Sequence, residues 1–216
     1  MKLLTSSLLL ISTLLTACSS PITYDVRFQN IGYDAAKRKT IVTSAINITD
    51  RTKISDLTTE IMGLGENIDR TEASFVAREA VLFPQHLANQ YRLIGPPNSQ
   101  NQLVNRGLRE KGHCYHFAKD MTDHIVKGRT YNTLTLQRAV ANQGGQFEHN
   151  VLTVAAKGKG IKDAIILDAW RNSATLLFLK TTEDPNYNWS KYYPRAYILR
   201  PDGTRQYVKN PAKPTL

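Results

Sequence analysis

A chain of 216 residues with 28 Lys and Arg against 18 Asp and Glu has a formal charge of +10, and it holds only two cysteines. Two cysteines exclude a disulfide framework. The basic residues are spread rather than gathered in one block and no recognised nucleic-acid motif accompanies them, which argues against a nucleic-acid partner and for a mostly solvated face.

Met1 to Ala17 has the layout of an export signal: Lys2 at the positive end, Leu8-Leu-Leu-Ile11 and Leu14-Leu15 in the middle, and a small residue at Ala17. The apolar run is too short and too interrupted by Ser and Thr to span a bilayer. Leu15-Thr-Ala-Cys18 resembles the lipobox of bacterial lipoproteins, which implies cleavage before Cys18 and a lipid on its sulfur. With Ser19 and Ser20 following and no Asp there, the expected location is the outer membrane, facing the periplasm. The membrane is then a partner through the lipid alone, and Cys114 is left as a single thiol in an oxidising compartment.

Residues 18–54 are expected to form a tether and N-terminal extension, with short strands at Thr40-Ile-Val-Thr43 and Ala45-Ile-Asn-Ile48. The domain is expected over 55–216. Asp56 to Met62 predicts a short helix closed by Gly63, and Val76, Ala80, Phe83, Leu87 and Tyr91 recur at helical spacing. Pro84 predicts a kink there or two abutting helices. His86 and His124 are expected on helix surfaces.

Gly112 supplies a turn, and beyond it Cys114, Phe117, Ala118, Met121 and Ile125 fall on one helical stripe. Cys114 is therefore expected in the first turn of a helix and on its inward face. The unpaired N–H groups and positive dipole end at such a position favour a thiolate. A small buried hydrophobe is the competing role for such a cysteine. His113 and His116 flank it, but consecutive helical positions diverge and zinc wants about four converging ligands, so no metal is expected. No cofactor is expected either.

Leu134 to Val140 is read as a short helix before Asn142-Gln-Gly-Gly145. Then Glu148 to Ala156 and Ala164 to Trp170 form two β-rich runs around Lys157-Gly-Lys-Gly160, an antiparallel hairpin. A turn centred on Gly158-Lys159 sets His149 directly across from Asp168, on one face of the sheet. A slip of one residue would part them, because it turns one side chain to the other face. Asp163 is the reserve carboxylate, Trp170 shares the face of Asp168, and Arg171-Asn-Ser173 either binds substrate or caps the strand. Asn188 to Tyr193 is an aromatic stretch suited to packing, or more weakly to glycan. A last hairpin around Pro201-Asp-Gly203 precedes a disordered tail.

A cysteine, a histidine and a carboxylate in this order suit a thiol hydrolase, in which the imidazole takes the thiol proton and the carboxylate orients the ring. Gly112-His-Cys114-Tyr-His-Phe-Ala118 on a helix, with His149 and Asp168 on neighbouring strands, resembles the papain-like superfamily. The resemblance is to transglutaminase-like cysteine peptidases and the NlpC-like endopeptidases. It covers about Gly107 to Arg171 and lacks both the aromatic after the histidine and the Asp-Cys-Ser string that those two groups respectively carry. It implies an α+β fold with a papain-like/transglutaminase-like core, helices packed on a small antiparallel sheet and the nucleophile at a helix N-terminus. It also implies Cys114 as nucleophile, His149 as base and Asp168 as orienting carboxylate. The expectation is a monomeric cysteine peptidase or amidase, with peptidoglycan peptides as substrate on grounds of compartment. The alternatives are a transglutaminase-like acyl transferase and a non-catalytic envelope-binding lipoprotein on the same scaffold.

Overall fold

The computed structural model describes Phe28, residues 31–43 and 46–193, and the backbone of 197–199 and 205–207. The segment expected to be a signal peptide, Cys18 and residues 208–216 lie outside these residues. Four helices, α1 (Ile48–Met62), α2 (Arg70–Tyr91), α3 (Pro97–Asn105) and α4 (Cys114–Gly128), accompany a five-stranded sheet. Its strands are β3 (Leu134–Ala141), β4 (His149–Ala156), β5 (Ile165–Asp168), β6 (Leu177–Lys180) and β7 (Ser190–Lys191). They lie in the order β6-β5-β4-β3-β7, and every neighbouring pair is antiparallel. Two hairpins stand apart, β1 (Ile31–Asp34) with β2 (Lys39–Val42), and β8 (Tyr197–Leu199) with β9 (Arg205–Tyr207). The fold is mixed α+β, with helices on an antiparallel sheet.

Alternation along the central strands builds two cores. Leu152, Val154, Ile165 and Leu167 join Phe117, Met121 and Ile125 of α4 and the apolar side of α2 in the main core. Val151 and Ile166 point the other way, into a smaller cluster with Ala139 that Trp189 and Leu179 cover. By the two-residue period of a strand, His149 and Asp168 belong to this second face. The stripe on α4 is buried as its spacing requires, and each such side chain is worth roughly 1.5–3 kcal/mol of burial.

Several expectations need correcting. Leu134 to Val140 is strand β3, not a helix, and pairs along its whole length with β4. Its Leu134-Thr-Leu136 alternation and β-branched Thr135 and Val140 already suit a pleat, and eight cross-strand pairs outweigh any helical preference. The β4–β5 connection is not a tight Gly158-Lys159 turn. It runs through a 3₁₀ turn at Ile161–Asp163, and the register moves with it. Helix α2 continues through Pro84 for 22 residues, while the Gln85 amide reaches back to donate to the Val81 carbonyl at 3.1 Å. Helix α1 begins at Ile48, capped by Asn47, ahead of the boundary expected at 55. Phe28 and Ile31 also take part in the core.

His124 is buried, not on a surface. Its Nε2 meets Glu79 Oε2 at 2.8 Å, and its Nδ1 lies 3.3 Å from the Tyr33 hydroxyl. Glu79 Oε2 also accepts from Thr40 N–H (3.0 Å) and Thr40 Oγ1 (2.6 Å), and Arg78 pairs with its other oxygen. This polar knot fastens the β1–β2 hairpin to α2 and α4.

Candidate active site

Helix α4 starts at Cys114, so the thiol stands on the first helical residue, where backbone N–H groups have no intrahelical acceptor. The turn before it is shaped by two residues. Gly112 has φ +142°, and a Cβ there would lie 2.3 Å from Gln100 Cγ. The buried Gln100 amide in turn donates to the Lys111 carbonyl at 2.9 Å and the Tyr91 carbonyl at 3.3 Å. On the other side, His116 Nδ1 accepts the N–H groups of Gly112 and His113, both at 3.2 Å. Burial, helped by the charges of His113 and Lys111, lowers His116 to about 4, so it is a neutral acceptor. This commits Nδ1 to capping and removes it from any metal-ligand role. Among the described residues no group of three His, Cys, Asp or Glu could hold a metal ion.

His149 is the first residue of β4, where the strand meets the start of α4. The Cys114 thiol donates weakly to the neighbouring Glu148 carbonyl at 3.8 Å and is half-buried. The His149 ring is enclosed, and its Nε2 meets Asp168 Oδ2 at 2.6 Å. That leaves Nδ1, shielded from solvent and without a partner of full hydrogen-bond geometry among the described residues. Burial by itself disfavours the imidazolium, but hydrogen bonds and charge from Asp168 and Cys114 outweigh it and push His149 up to about 9. The structure thus bonds His149 to Asp168 and sets the Cys114 sulfur against Glu148, the residue before His149.

Asp168 is buried and saturated with donors. Its Oδ1 accepts the N–H groups of Trp170 (2.8 Å) and Arg171 (3.1 Å), and Oδ2 accepts Arg171 Nε at 2.6 Å beside the imidazole. Burial works to raise this carboxyl; His149, with Arg171, overcomes it and holds the group below the usual carboxylate range. The remaining two nitrogens of Arg171 grip Asp184 at 3.1 and 2.7 Å, a bidentate fork. Asp184 also accepts from Trp189 Nε1 at 3.0 Å. Three aromatic rings then wall in the imidazole: Tyr187, Trp170 and Trp189, with centroids 4.8, 5.1 and 5.5 Å away.

The sequence places Trp170 on the face of Asp168, Arg171 in a stretch that binds substrate or caps the strand, and Trp189 in an aromatic stretch; the hold of Arg171 on Asp168 was not read from it. Asp184 carries no signal at all, since its role depends on where the 181–189 loop returns. Asp163, the reserve carboxylate, sits in the 3₁₀ turn beyond the far end of β5 from Asp168. Glu148 turns its carboxylate to Gly144 N–H (2.7 Å) and Asn150 Nδ2 (3.0 Å), away from the thiol.

Chemically, the described residues define a Cys–His–Asp row at the junction of a helix start and a strand start, in an α+β fold. Compared with known families, curated proteins and solved structures, the chain matches none.

Proposed function

We propose that this protein is a thiol-dependent amide hydrolase built on a papain-like core and held at the bacterial envelope by a lipid on Cys18. The observation that carries the reading is the buried imidazole bonded to Asp168, with Cys114 near enough to help raise it. One ring nitrogen is committed to the carboxylate at 2.6 Å and the other is left to the sulfur side. With the imidazole held up to about 9, it is protonated at neutral pH, and the proposed mechanism requires the thiolate of Cys114 beside it.

In that form the thiolate adds to a substrate amide carbonyl. The tetrahedral oxyanion is met by N–H groups at the start of α4, that of Cys114 among them. The imidazolium gives its proton to the leaving amine as the C–N bond breaks, leaving a thioester on Cys114 and a neutral ring. Water, deprotonated by His149, then cleaves the thioester to a carboxylic acid and restores the thiol. An amine in place of water gives acyl transfer instead. Peptidoglycan peptides are the substrate class suggested by the compartment that Leu15-Thr-Ala-Cys18 implies.

The test is alkylation of Cys114 by iodoacetamide across pH, together with digestion of purified cell wall. A thiolate–imidazolium pair reacts nearly as fast at pH 6 as at pH 8, and Cys114→Ala releases no new amino or carboxyl ends. A rate that rises only around the free-thiol value of about 8.5, with wall digestion unchanged in Cys114→Ala, overturns the reading in favour of a binding protein.

A further inference from the structure

A cavity of about 550 Å³ opens between the end of α2 and the loop that leads into α4, and Arg92, Arg109 and Lys111 line it against the one carboxylate of Glu110. We propose that this recess is an anion-binding subsite, which receives a carboxylate or phosphate group carried by the molecule that Cys114 attacks. It deepens the thiol-hydrolase reading and rests on it only in that last clause.

The guanidinium of Arg109 carries the argument. Its Nε donates to the Arg92 carbonyl at 3.4 Å and its Nη1 to the Leu108 carbonyl at 2.8 Å, which fixes the plane of the fork. Nη2 is shielded from solvent and has no acceptor among the described residues. A shielded guanidinium N–H without an acceptor is costly, and a fixed fork suits a planar or tetrahedral oxyanion. The acceptors that normally oppose cations at a helix C-terminus are already used here. The Tyr91 carbonyl takes Gln100 and the Arg92 carbonyl takes Arg109 itself. Lys111 is partly neutralised by Asp120 at 2.6 Å, so the donor that the recess offers is the Arg109 fork. Lys111 precedes Cys114 by three residues, no more than about 11 Å of extended backbone. An acidic group in the recess and a carbonyl at the thiol therefore fit on one small molecule or peptide.

The experiment titrates the full chain with sodium phosphate, and separately with sodium succinate, at constant low ionic strength. The amide resonances of residues 90–92 and 107–111 are followed. The expected result is saturable shifts at those amides, with Kd at least tenfold weaker in Arg109→Gln and intermediate in Arg109→Lys, which keeps the charge but not the fork. Tighter phosphate assigns a phosphate ester, and tighter succinate a carboxylate. Shifts that do not saturate, or that are equal in wild type and Arg109→Gln, overturn the site; Arg92→Gln takes the same measurement should Arg109→Gln fail to fold.

A second arm compares alkylation of Cys114 by iodoacetate with that by uncharged iodoacetamide. The ratio is expected to fall about 1.5- to 2-fold in Arg109→Gln, as one unit charge roughly 10–15 Å away in water predicts. Anion binding with an unmoved ratio severs the recess from Cys114. The iodoacetamide rate alone reports the reactivity of the thiol, so failure of the hydrolase reading is seen separately.

Discussion

His149 and Asp168 meet at 2.6 Å although they are not cross-strand partners. Leu152 faces Leu167, so continuing the ladder puts Val151 across from Asp168 and His149 two residues further on. A displacement of two keeps both side chains on one face and makes them diagonal neighbours. The carboxylate reaches along the strand direction to close the gap, and Arg171 holds it there.

Removing the reacting groups should abolish activity without unfolding the protein. Cys114 is only half-buried, so Cys114→Ala is expected to cut turnover at least about 10³-fold while moving Tm little. Asp168→Ala should differ, because it leaves Arg171 and a protonated imidazole buried without their partner. A cost of about 3–5 kcal/mol is expected, read by denaturant unfolding, with activity lost as well.

Arg171→Lys tests the clamp. A lysine cannot serve Asp168 and Asp184 together in the fork geometry. Turnover is expected to fall about tenfold, a moderate loss for a residue that acts through another, and the acid limb of the pH–rate profile should shift upward as Asp168 loses its partner. Trp189 fluorescence should change in parallel, since its indole N–H shares Asp184 with Arg171. An unchanged pH profile would leave Arg171 a purely structural residue.

Gly112→Ala combines a strained backbone with a clash at Gln100. A destabilisation of about 1–3 kcal/mol is expected for a non-glycine residue at such a φ. Activity should drop more than stability, because the affected turn aims Cys114. Gln100→Ala removes the clash but also the donor to the Lys111 and Tyr91 carbonyls, so the double variant should unfold below Gln100→Ala alone by the cost of the dihedral.

Stability should decline on both sides of neutrality. His149 is raised from 6.5 to about 9 in the folded protein, so its contribution is complete below 6.5 and disappears as pH rises through about 9. Asp168 is lowered from 3.8, so its contribution is present above that value and disappears as pH falls through the acid range. His149→Gln is expected to flatten the alkaline limb of a Tm-versus-pH curve, a difference of up to roughly 3 kcal/mol.

Glu79→Ala is expected to cost about 3–5 kcal/mol, since it strips the partner from buried His124, Thr40 and Arg78. In the fraction that stays folded, the iodoacetamide rate of Cys114 should match wild type. A changed rate would tie the N-terminal hairpin to the site.

The helix that carries Cys114 was legible because its stripe repeats four times with one period. The His149–Asp168 pairing was legible because strand parity survives an even error in register. Leu134 to Val140 was misread because a seven-residue segment with four apolar residues satisfies both periods loosely, and only the β4 partner decides. His124 was misread because its polar partners, Glu79 and Tyr33, lie 45 and 91 positions away. Asp184 was invisible for the same reason: an aspartate acquires its role when a loop folds back on Arg171. Sequence shows periodicity well and long-range polar pairing poorly.

The sulfur and the imidazole arrive from different layers of the molecule, one at the tip of a helix and the other at the first residue of a strand. Nothing covalent and nothing in either layer alone fixes the gap between them. On warming, a small sliding of α4 across β4 is expected to part the two before the core they share gives way. Turnover should therefore fade several degrees below the cooperative transition, and a molecule bridging the two layers should raise the temperature of that fading more than that of unfolding itself.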